Sequence, residues 1–169
     1  VWMKENERDH MDEVFGQFGD LKGKIDTLIV NAQVTQRPTI NMFQPVKLGS
    51  DSIPVFTSPT GGYLYLKPGN TYDTGVVVDF RYNYSGSLYH IIEEGGGSLE
   101  FYGPNRYYVQ QWYAYENGGL MVYQKEGMAM RATPSLVFTA NSDGSVNVQF
   151  DQVDLIGRNE TVAGMGTAG

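Results

Sequence analysis

The sequence predicts a mainly β protein, with an antiparallel β-sandwich or jelly-roll-like head carried on an N-terminal α-helical coiled-coil stem. Three observations predict it. Residues 11–30, MDEVFGQFGDLKGKIDTLIV, space apolar side chains in a 3-4-3-4-3 pattern. From Thr39 onward, short β-branched and aromatic runs alternate with the turn clusters TSPTGG, KPGNTYD, SGS, EEGGGS, GPN, ENGG, KEG and NSDGS. Charge also divides unevenly: residues 1–30 hold 4 basic and 7 acidic side chains, while the other 139 residues hold only 8 and 12.

The stem is assigned to residues 1–34. With Met11 at heptad position a, Phe18 and Ile25 also fall at a, and Val14, Leu21 and Leu28 fall at d. Pairs four residues apart, Asp20/Lys24 and Lys22/Asp26, support a helix, which should end before Pro38. Gly16, Gly19 and Gly23 fall at outward positions, yet each costs about 0.8–1 kcal/mol against alanine. Such a helix needs external support. Apolar Phe15 and Ile29 at e positions widen the stripe and favour three strands over two. The alternative is a single amphipathic helix lying on its own β domain.

The head is assigned to residues 35–158. Its clearest strand is Ser145–Asp151, where Val146, Val148 and Phe150 alternate with polar residues. About nine strands separated by turns, with no helical pattern between them, favour an antiparallel architecture over a parallel α/β sheet. The last segment, residues 159–169 (NETVAGMGTAG), is small and Gly-rich and reads as a flexible tail, or one ordered against a neighbouring subunit.

Composition excludes several functions. There is no cysteine, hence no disulfide scaffold, thiol nucleophile or Cys-ligated zinc. A net charge of −7 argues against nucleic-acid binding through the phosphate backbone. No apolar run is long enough to span a bilayer, and the stem's mixed, acidic polar face does not suit a membrane surface. The chain opens at Val1 within a charged stretch and reads as a fragment of something longer.

A β head on a short stem, from MDEVFGQFGDLKGKIDTLI through the Gly/Tyr-rich middle to SLVFTANSDGSVNVQF, resembles the trimeric fibre and spike attachment proteins of viruses, bacteriophages in particular. That resemblance implies a homotrimer on the virion surface or tail. It also implies that the head recognises a host-surface saccharide or protein, and that the stem joins other virion proteins. No catalytic residue, metal or cofactor follows from it. A structural connector or cap that trimerises and docks to another virion protein is the alternative.

The candidate binding stretch is FYGPNRYYVQQWYAYENGG, residues 101–119. Read as a strand, it places Arg106, Tyr108, Gln110, Trp112 and Glu116 on one side and Tyr107, Val109, Gln111, Tyr113 and Tyr115 on the other. Aromatic bodies beside carboxylate and amide groups suit stacking on sugars or a protein interface. The candidate ligand-binding residues are therefore Trp112, Tyr108, Arg106, Glu116, Asn105 and Gln110. The competing assignment buries most of these rings in the core or between subunits. A second stretch, residues 83–98, brings His90 near Glu93 and Glu94, but neighbouring strand residues point to opposite faces and a solvated turn is the simpler reading. GMGTAG at the C-terminus matches a dinucleotide fingerprint without the βαβ context that gives it meaning. The NYS and NET triplets, at Asn83 and Asn159, are glycosylation patterns common by chance.

Overall fold

The computed structural model describes residues 2–35, 41–49, 60–69 and 75–169, with only the backbone described at 75–78, 80, 91, 93 and 94. It is mainly β, with one N-terminal helix and antiparallel sheets. Helix α1 (Trp2–Thr35) runs for 34 residues; Pro38, before which the sequence predicts its end, lies outside the described residues. The strands are β1 (Val46–Lys47), β2 (Gly62–Pro68), β3 (Gly75–Tyr84), β4 (Ser87–Gly103), β5 (Gln111–Glu116), β6 (Gly119–Gln124), β7 (Gly127–Ala132), β8 (Leu136–Ala140), β9 (Val146–Phe150), β10 (Glu160–Gly164) and β11 (Thr167–Ala168).

The principal sheet has the order β10-β2-β4-β5-β6-β7. Strand β4 serves two partners along its 17 residues: its first part pairs with β3, and its last part lies between β2 and β5. The change of partner falls at Gly96 and Gly97, whose φ values of 116° and 96° exclude most side chains. The β5–β6 hairpin turns at Asn117-Gly118, both with positive φ, as a two-residue turn requires. Asn117 is buried and accepts the Val153 N–H at 2.9 Å, tying the turn to the chain that follows β9.

Alternation divides the sheet into two faces. Leu99 and Phe101 on β4, Tyr113 and Tyr115 on β5, and Leu120 and Val122 on β6 form the inner face, where they meet Met11, Val14 and Phe18 of α1. The helix covers much of this face, with Val46 of β1 and Ala168 of the two-stranded β1–β11 sheet packed against the same core; among the described residues a sandwich of two full sheets is not confirmed.

A coiled-coil stem is not seen either. Met11, Val14 and Phe18 are 0 % exposed against the chain's own sheet, which leaves them no surface for a second helix. Their burial contributes about 1.5–3 kcal/mol apiece, more than enough to offset the roughly 2.5–3 kcal/mol withdrawn by three glycines. The second half of the stripe, Leu21, Ile25 and Leu28, is only half-buried, and Val30 and Val34 are exposed. A 3.5-residue repeat drifts by about 20° per heptad on a straight helix, or about 50° from Met11 to Leu28, so the stripe turns off the sheet as it proceeds. Gly16, Gly19 and Gly23 face open space, as their outward heptad positions require.

Polar contacts fasten the helix along its length. The buried Glu7 carboxylate accepts the backbone N–H groups of Arg106, Tyr107 and Tyr108 at 2.9, 2.6 and 2.7 Å, and the Thr60 hydroxyl at 3.2 Å. Buried His10 sets its Nε2 3.0 Å from the Lys47 carbonyl oxygen and its ring edge-on to Phe101. Gln17 accepts the Lys47 N–H at 2.9 Å, and Lys24 donates to the Phe43 carbonyl and to Gln44 Oε1. Near the C-terminal end, Gln33 donates to Asp151 at 3.1 Å.

The tail differs from its expected looseness. Glu160–Gly164 pairs along the whole of β10 with β2, and Thr167–Ala168 pairs with β1. The order comes from backbone pairing within the chain, and the glycines act as bends: Gly164, at φ 149°, ends β10 before the return to β1. The GMGTAG segment therefore lies in strand and turn, not at a helix start. Glu93 and Glu94 also belong to a strand, opposite Val78 and Val77 of β3, where a turn was expected. Their side chains lie outside the described residues. Described His90 pairs instead with Asp79 at 2.8 Å, and Arg81 beside it holds the Asp79 carboxyl below its usual range.

Candidate functional site

Among the described residues no element covers the outer face of the principal sheet, which carries an aromatic row. Register places Tyr63, Tyr102, Trp112 and Tyr123 side by side on β2, β4, β5 and β6. Tyr65 stands two residues along β2 from Tyr63. Rings stack from Tyr65 to Tyr63 (6.2 Å between centroids), on to Tyr102 (6.1 Å) and then to Trp112 (4.2 Å, 15° between planes). Cross-strand aromatic pairs of this kind add about 0.2–1 kcal/mol each to the sheet. Half-buried Trp112 thus spends one ring face on Tyr102.

The stacking stops at Trp112. Tyr123 is its direct neighbour in register, but the Tyr123 hydroxyl donates to the Met121 sulfur at 3.2 Å, which draws the ring along its own strand. Beside these two rings opens a cavity of about 300 Å³ lined by Glu100, Trp112, Ala114, Glu116 and Tyr123. Alternation explains the membership: Trp112, Ala114 and Glu116 are successive outward residues of β5, and Glu100 lies opposite Ala114. Ala114 forms the floor because it is the one small residue among them.

The two carboxylates differ in their surroundings. Glu100 accepts Lys67 Nζ at 2.7 Å and Ser98 Oγ at 2.9 Å. Glu116 has no such partner among the described residues; burial, then the Glu100 charge, pushes its carboxyl above the usual range, with Lys67 opposing. The Tyr123 hydroxyl is pushed up in the same way, by burial first and then by Glu116 and Glu100. Two acids and one lysine leave the slot with one uncompensated negative charge. A cation at this position relieves the electrostatic cost of keeping Glu116 ionised.

The sequence-derived site residues separate into two groups. Trp112 and Glu116 come together on the outer face, as the alternation of residues 111–116 implies. Asn105, Arg106, Tyr108 and Gln110 lie apart from the slot in an irregular loop between β4 and β5, so the strand assignment for 106–110 is corrected. The cause is Glu7, whose carboxylate gathers three successive N–H groups and thereby holds the chain out of a strand. Asn105 is buried and donates to the Val109 carbonyl at 2.8 Å, closing the loop on itself. Tyr108 is half-buried against the core, and exposed Gln110 accepts the Tyr102 hydroxyl at 3.2 Å. Arg106 is exposed.

Glu100, Ala114, Tyr123 and the Tyr63–Tyr102 stack were not singled out from the sequence. Phe-Tyr at 101–102 and Tyr63-Leu64-Tyr65 alternate in register with Trp112, but only strand pairing, which is non-local, shows that they form one row. Among the described residues, no group of His, Asp and Glu stands close enough to hold a metal ion. No described helix is long and apolar enough to cross a membrane. Comparison with protein-family models, curated proteins and solved structures finds no match.

Proposed function

We propose that this chain is part of a virion fibre or spike protein, non-enzymatic and homotrimeric, whose β-rich head recognises a host-surface receptor through the open face of its principal sheet. The observation that carries this reading is the stacked row Tyr65–Tyr63–Tyr102–Trp112 ending beside paired carboxylates on an uncovered face. Rigid aromatic rings with adjacent polar acceptors provide contact area at low entropic cost, which is what a receptor surface needs.

Self-association is supported by apolar surface that the single chain leaves open. In the β8–β9 ribbon, Leu136 pairs with Phe150, Phe138 with Val148 and Ala140 with Val146, so one entire face is apolar. Phe138 is 63 % exposed and Val146 57 %. A two-stranded ribbon is marginal in water by itself, and three copies offer one another the missing cover. The half-buried stretch Leu21, Ile25 and Leu28 supplies a short region for helix contact between copies, a reduced form of the stem.

The same ribbon favours the second reading, a connector or cap that docks on another virion protein. Retention of the fragment on host envelope material, with oligomeric state followed by sedimentation, separates them. Receptor binding predicts that Trp112→Ala lowers retention while the oligomer persists. Unchanged retention contradicts it, and loss of the oligomer in that variant favours the connector.

A further inference from the structure

The slot beside Trp112 is more specific than an aromatic surface. We propose that it is a subsite for an amino sugar, with the sugar ring on the free face of Trp112 and its ammonium group directed to Glu116 and Glu100. The inference rests on the receptor-binding reading and adds the ligand's chemical class.

Three features carry it. First, the stack ends at Trp112: its register neighbour Tyr123 does not stack on it, and both rings line an open cavity of about 300 Å³, a volume that accommodates a sugar ring. Second, the cavity is floored by Ala114 and bordered by acids, of which Glu100 is engaged by Lys67 and Glu116 is not. An ammonium supplies the missing countercharge, and its attraction to the Trp112 and Tyr123 rings adds a cation–π contribution. Third, the row continues away from the slot through Tyr102 to Tyr63. Three strands at about 4.8 Å spacing make this row a platform about 10 Å long, enough for a further ring of a linear saccharide. A lysine side chain would use the carboxylates, but it would leave this platform empty.

The probe is Trp112 fluorescence in the full chain with Trp2→Phe, which leaves Trp112 as the only tryptophan. Short glucosamine oligomers, their N-acetylated counterparts and oligolysine are titrated in turn. The expected result is saturable binding of the glucosamine oligomer, at least about tenfold tighter than the N-acetylated form, with Glu116→Gln removing about tenfold of it. Ala114→Leu, which fills the floor, should also abolish binding, and a melting temperature no lower than the native chain's in either variant shows that the fold is retained.

Equal or tighter binding of the N-acetylated oligomer overturns the inference and leaves saccharide recognition standing. Oligolysine binding as tightly as glucosamine overturns it in favour of a protein ligand. If none of the three binds while Trp112→Ala still lowers retention on envelope material, the ligand class is wrong and the receptor reading survives. If retention is also independent of Trp112, both fall.

Discussion

Replacing Glu7 by Gln tests how the helix is held. In the native chain, Glu7 Oε2 accepts two backbone N–H groups, from Tyr107 and Tyr108, and Oε1 accepts Arg106 N–H and the Thr60 hydroxyl. Glutamine keeps the shape but provides only one acceptor oxygen. Its amide nitrogen then faces donors, leaving one or two buried N–H groups unsatisfied. Hydrogen bonds to a charged group contribute about 1.5–3 kcal/mol each, so losing two costs about 3–6 kcal/mol, reduced by relaxation of the loop to about 3. Urea unfolding measures the difference, and amide exchange should show lost protection at 106–108. Glu13→Gln, which removes only a partly exposed pair with Lys47, is the control and should cost less than about 1 kcal/mol. A Glu7→Gln change under about 1 kcal/mol, with 106–108 still protected, refutes the docked helix.

Alanine at Gly16, Gly19 and Gly23 meets nothing within 4 Å, so the triple variant should gain about 2–3 kcal/mol, read as a higher thermal midpoint. Tyr115 is fully buried and its hydroxyl makes no hydrogen bond of good geometry among the described residues, only a weaker interaction with the Gly118 backbone; Tyr115→Phe should therefore stabilise the fold, by up to about 1 kcal/mol. Burial pushes the Tyr115 hydroxyl up to about 12, so the fold favours its protonated form. Stability should be flat below the ordinary value of 10.0 and fall as pH rises from there to about 12, by less in Tyr115→Phe than in the native chain. For Glu116 the raised carboxyl means that the folded chain binds this proton more tightly than the unfolded one does. Ionised Glu116 thus costs stability at neutral pH, and Glu116→Gln should stabilise there, with the advantage disappearing as pH falls below about 4.5.

Local features were legible in the sequence, and non-local ones were not. The two faces of residues 111–116, the Asn117-Gly118 turn and the outward direction of the helix glycines all follow from spacing alone. The partner of the seam does not, because the same apolar stripe suits another helix or a sheet. A cue was available at Glu7: it occupies the d position one heptad before Val14, and a carboxylate in a seam needs donors that a coiled coil of identical helices lacks. His10, one residue from Met11, is likewise buried on the sheet side. The slot was half legible, since Trp112 and Glu116 share a strand face, while Glu100 and Tyr123 reach it only through pairing with β4 and β6. The tail was misread because small residues signal looseness only when their backbone has no strand edge to join, and β2 offers one.

The receptor contact proposed for this chain is its open aromatic face. Side-chain oxidation footprinting of the assembled protein, free and bound to host envelope material, tests it directly. Trp112 and Tyr63 should become protected on binding, while Phe138 of the β8–β9 ribbon should be unchanged because the proposed association between copies already covers it. Protection of Phe138 alone, with Trp112 oxidised as readily as before, would rule out the aromatic face and assign the contact to the ribbon.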